Sequence, residues 1–214
     1  MNKGAERLKH IEEYYFSKKL REVKELINSG APIINMGIGS PDLDPPISVV
    51  NSIKESLNHK NAHQYQSYKG INDLRLEISN FYSRFYNIKL NAEENILPLL
   101  GSKEGIMHIS LAFLNPGHEV LIPDPGYPTY SSVTKIVGAF PRNYNLDSKN
   151  NWYPDIDNLQ NSDLSKVKLM WINYPHMPTG TPAEISKLED IVLFTQKNNI
   201  ILVNDNPYSQ ILND

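Results

Sequence analysis

The sequence has no cysteine among its 214 residues. Disulfides, thiol nucleophiles and thiolate metal sites are therefore excluded, and we predict no metal site. Long apolar runs are absent as well: no segment approaches the roughly 20 apolar residues that span a bilayer, and residues 1–19 lack the apolar core of a signal peptide. We expect a cytoplasmic protein that does not interact with membranes.

An excess of charge of one sign is also missing. The chain carries 21 Lys and Arg residues against 24 Asp and Glu residues, a formal net charge of -3, and the charges are not gathered in blocks. Because nucleic-acid binding relies on a basic surface that neutralises phosphates, nucleic acid is not an expected partner. The hydrophobic fraction of 40% is ordinary for a globular protein with a buried core.

The first part of the chain is predicted to form helices joined by irregular loops. Spaced apolar residues predict a polar helix over the first thirty residues, ended by Gly30. A loop rich in glycine and proline follows, and a second helix is predicted from Ser48 to about Leu57. A third, amphipathic helix is predicted over residues 72–86, with Asn72 as its N-cap. Its apolar positions are Leu74, Leu76, Ile78, Phe81 and Phe85.

From residue 95 onward, short apolar runs alternate with helical segments. Strands are predicted at residues 95–100, 119–123, 139–146, 166–174 and 199–205, and helices at residues 103–114, 128–137 and 184–196. This βαβα order is typical of an α/β fold with a mainly parallel sheet flanked by helices. The last two runs are apolar nearly throughout, which predicts strands covered on both faces. Ligands of such sheets bind beyond the carboxyl ends of the strands.

Three turn-rich segments follow predicted strands, and the first has the sequence Gly-Ser-Lys-Glu-Gly at residues 101–105. A glycine turn that opens a helix presents unpaired backbone N–H groups and the positive end of the helix dipole, which favour a phosphate. Ser102 would add a hydroxyl group and Lys103 a positive charge. The alternative is an ordinary helix start with Ser102 as its cap.

The second segment, residues 124–130, presents Tyr127 on a rigid Pro-Gly turn. A tyrosine ring at the mouth of the sheet can stack on a planar ligand. The alternative is a surface aromatic residue in a turn. Tyr130, three residues later, is predicted to pack in the core.

The third segment begins with Asp205, which ends the last apolar run. A carboxylate buried there is costly unless a cation or hydrogen bonds offset the lost hydration. A protonated ring nitrogen is one such cation, and the anion would let the ring act as an electron sink. The alternative is an N-cap on a following helix, with Tyr208 packing in its first turn. Together the three segments suit a phosphorylated, cationic, ring-shaped ligand.

Four motifs resemble, in order and spacing, those of the class I/II aminotransferases, a pyridoxal-phosphate-dependent family of the aspartate-aminotransferase-like superfamily. They are GSKEGI, PDPGYPTY, NYPHMPTG and DNPYS, and the resemblance covers most of the chain, from GIGSPDLDPP to DNPYSQI. It implies a fold type I, PLP-dependent transferase-like large domain that is incomplete at the C-terminus. Residues 1–45 would form an amino-terminal arm and the start of the small domain, and residues 46–214 the first part of the large domain.

The resemblance also implies roles for individual residues toward pyridoxal 5'-phosphate. Ser102 and Lys103 would hold the phosphate, and Tyr127 would stack on the pyridine ring. Asp205 would pair with the ring nitrogen, and Tyr208 would hydrogen-bond the phenolic oxygen of the ring.

Further positions bear on the neighbouring subunit, the substrate and the ring. Tyr65 matches the family tyrosine that reaches the phosphate of the neighbouring subunit, which implies a homodimer with shared active sites. Gly39 would lie near the substrate carboxylate. Met177 stands where the family usually has asparagine, and a thioether cannot donate a hydrogen bond to the phenolic oxygen. His176, beside it, is predicted to be a surface or packing residue.

The lysine that forms the Schiff base in this family lies downstream of the Asp-x-x-Tyr segment. We therefore expect it beyond Asp214, and we assign no catalytic residue within the chain. The implied activity is transfer of an amino group between an amino acid and a 2-oxo acid in amino acid metabolism, and the 214 residues alone are expected to be inactive. A PLP-dependent lyase or decarboxylase on the same scaffold and a non-catalytic dimeric binding module are the alternatives.

Overall fold

The computed structural model describes residues 4–9, 13, 15–37, 39 and 42–211. The chain forms two compact units, one from residues between 12 and 98, and one from residues 99 onward together with the amino-terminal segment. The domain boundary between residues 45 and 46 stays a prediction. No helix within the described ranges is long and apolar enough to cross a membrane.

The unit of residues 12–98 contains three helices, which are α1 (Tyr15–Asn28), α2 (Ile47–Ser56) and α3 (Asn72–Tyr86). The predicted bounds of α2 and α3 are confirmed to within one residue. The single helix predicted over the first thirty residues was wrong, because a separate 3₁₀ helix at Glu6–Leu8 precedes α1. Gly30 follows α1 with φ of 88°, a left-handed conformation that glycine adopts without strain.

The two ends of α3 are set by local backbone chemistry. Ile71 occupies the capping position and makes no side-chain capping bond, so the prediction that Asn72 is the N-cap was wrong. Asp73 in the first turn places a negative charge near the positive end of the helix dipole. Asn87 ends the helix in a left-handed conformation, and its N–H donates to the carbonyl of Tyr82.

The apolar face predicted for α3 is largely exposed in the described chain. Arg75 is instead the residue that this helix buries, with 5% of its surface exposed. A periodicity pattern cannot find such a residue because it assigns every arginine to the solvent side. The exposed apolar side chains are Leu74, Leu76, Phe81 and Phe85.

The guanidinium group of Arg75 is saturated with acceptors. Nε donates to the carbonyl of Ala92 at 3.1 Å, and Nη1 donates to the carbonyls of Lys69 and Gly70 at 3.1 and 2.8 Å. Nη2 forms an ion pair with Glu93 at 2.5 Å. Arg75 therefore joins α3 to the segments that precede and follow it.

The unit of residues 99–214 is built on a parallel sheet. Its strands, β1 (Glu119–Asp124), β2 (Phe140–Asn145), β3 (Val167–Ile172) and β4 (Ile201–Asn204), lie in the order β2-β1-β3-β4. Its α-helices are α4 (Ser102–Phe113), α5 (Pro128–Ile136), α6 (Ile156–Gln160) and α7 (Ile185–Lys197). The predicted α/β order is confirmed from residue 101 onward. The short helix α6 and a 3₁₀ helix at Ser148–Asn150 were not predicted.

Both faces of the sheet carry a hydrophobic core. Side chains alternate along β3, so that Leu169 and Trp171 face one way and Met170 and Ile172 the other. The first pair packs with residues of α4 and α5, and the second pair packs with residues of α7. This two-sided cover explains why β3 is apolar at nearly every position.

Two strand predictions were wrong. Residues 95–100 form no strand, and in the described chain no other segment pairs with them, so their backbone has no ladder to join. Leu100 is fully exposed there. Cover on both faces was predicted for residues 199–205 as well, but β4 is the last strand of the sheet in the described chain, and Ile201 is 37% exposed.

The strand order creates a crevice. From β1 the chain crosses to β2 on one side, and it later returns to β3 on the other side of β1. Crossover connections that leave in opposite directions separate at the carboxyl ends of the strands, and this opening is where α/β sheets bind ligands. The segments after β1, β3 and β4 therefore meet at a common edge.

Candidate functional site

A cavity of about 220 Å³ opens at the carboxyl edge of the sheet. It is lined by Ser102, Tyr127, Tyr130, Asn173, Met177, Asp205, Pro207 and Tyr208. Four of the predicted site residues are thus brought together from the start of α4 and the ends of β1 and β4. Two larger hollows of about 450 and 550 Å³ lie beside α6 and contain none of the predicted site residues.

The α4 side of the cavity is the start of a helix. Ser102 is the first residue of α4, and Gly101 occupies the capping position without a side-chain bond, so the alternative of Ser102 as a cap was wrong. The hydroxyl and N–H groups of Ser102 have no hydrogen-bond partner in the described part of the chain. Such groups at a helix start favour an anion. Nearby, the N–H of Leu100 donates to Glu104 at 2.7 Å.

Tyr127 stands between β1 and α5 and is half-buried. Its ring lies edge-on to Tyr130, with centroids 5.6 Å apart, and Lys103 Nζ lies 5.8 Å from the Tyr127 centroid. The preceding turn requires glycine, because a Cβ on Gly126 would lie 2.4 Å from the carbonyl oxygen of Pro123. The turn therefore holds the Tyr127 ring at the cavity wall, close to the Lys103 charge.

Asp205 follows β4 directly and is half-buried rather than fully buried. Its N–H donates to the carbonyl of Ile172 at 2.9 Å, and its own carbonyl accepts from the side chain of Asn173. Its Oδ2 accepts from the hydroxyl of Tyr130 at 2.8 Å. Residues 206–211 contain no helix, so the alternative of Asp205 as an N-cap was wrong.

Asn173 lines a third side of the cavity. The residue is 3% exposed, and its Oδ1 accepts from the N–H of Met177 at 2.8 Å. Met177 lines the cavity and is half-buried. Two backbone hydrogen bonds close the turn around Met177. The N–H of His176 donates to the carbonyl of Thr181 at 2.8 Å, and the N–H of Gly180 donates to the carbonyl of His176 at 2.7 Å.

His176 does not line the cavity. The residue is 2% exposed, and its Nδ1 lies 2.8 Å from the hydroxyl of Thr179. Burial lowers the pKa of His176 below its ordinary value, and the backbone of Pro125 opposes this effect. His176 is thus a neutral packing residue between two of the turns, which fits the predicted packing role.

Tyr130 and Asn173 are the polar residues of the cavity that were not predicted. Tyr130 was expected only as a core residue, and no role was assigned to Asn173. The position of Asn173, a polar residue directly after a buried strand, was a usable signal. Tyr130 offered no comparable signal, because a buried tyrosine in the first turn of a helix is usually part of the core.

Tyr65 and Gly39 lie in the other unit and are exposed. The Tyr65 side chain is completely exposed. Ile38, which flanks Gly39, is outside the described residues. The roles assigned to Tyr65 and Gly39 stay predictions.

Comparison with known proteins places the chain in a family. The family model described as aminotransferase class I and II matches residues 31–214. The chain belongs to this family. The predicted resemblance and fold class are thereby confirmed.

Relatives and solved structures of this family cover nearly all of the chain. It is 36% identical over 207 residues to an LL-diaminopimelate aminotransferase of Aquifex aeolicus, which covers 97% of the chain and 54% of that relative. It is 35% identical to the enzyme of the same name from Syntrophobacter fumaroxidans, over 97% of the chain and 53% of the relative. The chain thus spans about half the length of the curated relatives it matches.

Two solved structures show the same fold. The apo-BacF structure from Bacillus subtilis has a TM-score of 0.89 at 33% identity, over 96% of this chain and 52% of BacF. Aspartate aminotransferase from Thermus thermophilus has a TM-score of 0.92 over 100% of this chain and 56% of that protein. At 21% identity, the second likeness supports the fold alone.

Proposed function

We propose that the chain is the cofactor-binding part of a pyridoxal-phosphate-dependent aminotransferase, which moves an amino group between an amino acid and a 2-oxo acid. The observation that carries the proposal is the composition of the 220 Å³ cavity. It combines a helix start suited to an anion, an aromatic wall and a carboxylate suited to a cation. A phosphorylated pyridine ring requires these three features together.

The residues present fit the cofactor. Ser102 offers an unpartnered hydroxyl at the start of α4, and we propose that it binds the phosphate together with Lys103. The half-buried ring of Tyr127 would stack on the pyridine. Asp205 accepts one hydrogen bond at Oδ2 from Tyr130, so a further acceptor position remains for a ring nitrogen that carries a proton. Tyr208 lines the cavity and would donate to the phenolic oxygen.

Chemistry at the substrate carbon would come from the cofactor. When bound, pyridoxal phosphate supplies an electron sink for the charge that develops on the α-carbon. The residues of this chain bind and orient the ring: Asp205 holds a proton at the ring nitrogen, and the α4 start fixes the phosphate. The carboxylate at the nitrogen favours the protonated ring, which is the better electron sink.

The substrates and the assembly are also proposals. The name shared by the relatives makes LL-diaminopimelate the first amino acid to assay, with a 2-oxo acid as acceptor. Tyr65 is fully exposed, and we propose that it contributes to the site of the partner subunit in a homodimer. Tyr65 of one subunit would then complete the cavity of the other subunit.

The proposal is tested on the natural protein by intact mass spectrometry after incubation with pyridoxal phosphate, with and without borohydride. Borohydride fixes a lysine-bound cofactor covalently, and the peptide that carries the added mass is then sequenced. We expect one adduct on a single lysine outside residues 1–214. No specific adduct would favour the non-catalytic binding module. Product analysis separates the remaining alternatives, because a lyase or decarboxylase forms no new amino acid from a 2-oxo acid.

Met177→Asn tests the cavity wall beside the phenolic oxygen. An amide at this position can donate a hydrogen bond, which stabilises the deprotonated oxygen, whereas the thioether cannot. We expect the midpoint of the pH-dependent absorbance change of the bound cofactor to move to lower pH. Met177→Leu, which also lacks a donor, is the matched control and should leave the midpoint in place. An unchanged midpoint in Met177→Asn would mean that Met177 does not face the cofactor.

A further inference from the structure

Tyr130 is held in one position by its surroundings. It lies in the first turn of α5 and is 1% exposed. Its ring stacks on Trp171 of β3, with centroids 5.1 Å apart and ring planes inclined by 6°. Its carbonyl accepts a hydrogen bond from the hydroxyl of Thr134 at 2.7 Å. A side chain packed in this way supports a neighbouring site group with little freedom of its own.

The hydroxyl of Tyr130 is directed at the carboxylate of Asp205. It donates to Oδ2 at 2.8 Å, across a sequence separation of 75 residues. The backbone of Asp205 is fixed on both sides by Ile172 and Asn173, so the side-chain torsions are what the tyrosine controls. Oδ1 has no hydrogen-bond partner in the described part of the chain, and Asp205 lines the cavity.

The protonation state of Tyr130 suits this contact. Burial, followed by the charge of Asp205, raises the pKa of Tyr130 far above its ordinary value, so the hydroxyl stays protonated and neutral. A neutral donor orients the anion and leaves its full charge available, whereas a lysine or arginine at this position would compensate the charge. The carboxylate therefore keeps its attraction for a cationic ring.

We propose that Tyr130 is a positioning residue that orients the Asp205 carboxylate, so that Oδ1 faces the ring nitrogen of the cofactor. The proposal rests on the proposed function and adds to it a residue outside the expected set of ligands. Without the tyrosine hydroxyl, the carboxylate rotates freely before binding and must be immobilised by the ring itself. Immobilising one side chain in this way weakens binding by about 3- to 10-fold.

The test compares two ligands in the natural protein freed of cofactor. One is pyridoxal phosphate, and the other is its 1-deaza analogue, in which a C–H group replaces the ring nitrogen. Affinities are measured by absorbance titration for the unmodified protein and for Tyr130→Phe. We expect Tyr130→Phe to lower the affinity for pyridoxal phosphate by about 3- to 10-fold and to change the affinity for the analogue by less than about 2-fold. A general loss of structure would lower the affinities for both ligands equally.

Tyr144→Phe is the matched control. The hydroxyl of Tyr144 is also buried and donates to the carbonyl of Trp171 at 2.7 Å, but Tyr144 does not line the cavity. Its removal should leave the ratio of the two affinities unchanged. If the ratio of the two affinities in Tyr130→Phe is the same as in the unmodified protein, the positioning role is overturned. An unmodified protein with no preference for the ring nitrogen would instead overturn the proposed function of Asp205.

Discussion

Replacing Asp205 with asparagine is expected to lower the turnover number of the natural protein by about 10²-fold or more. The amide oxygen can still accept the hydrogen bond that Tyr130 donates at 2.8 Å, so the shape of the site is kept while the charge is lost. Without that charge, the ring nitrogen loses the partner that keeps it protonated. Cofactor affinity should fall by about 10- to 100-fold, the usual cost of losing a hydrogen bond to a charged group.

The measurement combines steady-state kinetics with the fraction of cofactor retained after dialysis. Asp205→Ala, which also removes the acceptor for Tyr130, should be at least as damaging. Asp190→Asn is the control, because Asp190 is exposed on α7 and its replacement removes the same charge away from the cavity. Full activity and full retention in Asp205→Asn would remove Asp205 from the role proposed for it.

Arg75→Met is expected to destabilise the unit of residues 12–98 by about 2–3 kcal/mol. Methionine retains the apolar stem of the side chain but leaves the carbonyls of Lys69, Gly70 and Ala92 without their donor. The loss of the ion pair adds little, because the side chain of Glu93 is 59% exposed and stays hydrated. The cost therefore comes from three partly buried carbonyl groups.

Hydrogen exchange of the α3 amides in the native protein measures this effect locally, which avoids assuming that both units unfold together. Arg84→Met, an exposed change on the same helix, is the control and should alter protection by less than about 0.5 kcal/mol. If the α3 amides of Arg75→Met are as well protected from exchange as those of the control, the carbonyls have found other donors.

Much of the fold was predictable from local patterns. The alternation of apolar runs and helical segments from residue 101 onward gave the right element types, because βαβ units are built from short-range signals. The Tyr127 turn and Asp205 were placed correctly at strand ends for the same reason, whereas α4 begins where it was predicted but does not follow a strand. Their convergence on one cavity follows from the parallel sheet, in which all carboxyl ends share one edge.

Two of the errors arose because the contacts that decide them lie outside the element in question. The burial of Arg75 depends on carbonyls at positions 69, 70 and 92, and α3 itself contains none of them. The strand predicted at residues 95–100 required a partner strand, and the described chain offers none. An apolar pattern records that a segment can be buried, but it does not record what covers it.

The sequence by itself determined the family, the parallel α/β order and most of the residues around the cavity. These depend on glycine turns, apolar periodicity and motifs of a few residues, which act over short distances. Only the tertiary structure decided how the Asp205 carboxylate is held, because its partner Tyr130 is 75 residues away and reaches it through the packing of α5 on β3. A hydrogen bond of that kind depends on the assembled sheet, and no local pattern encodes it.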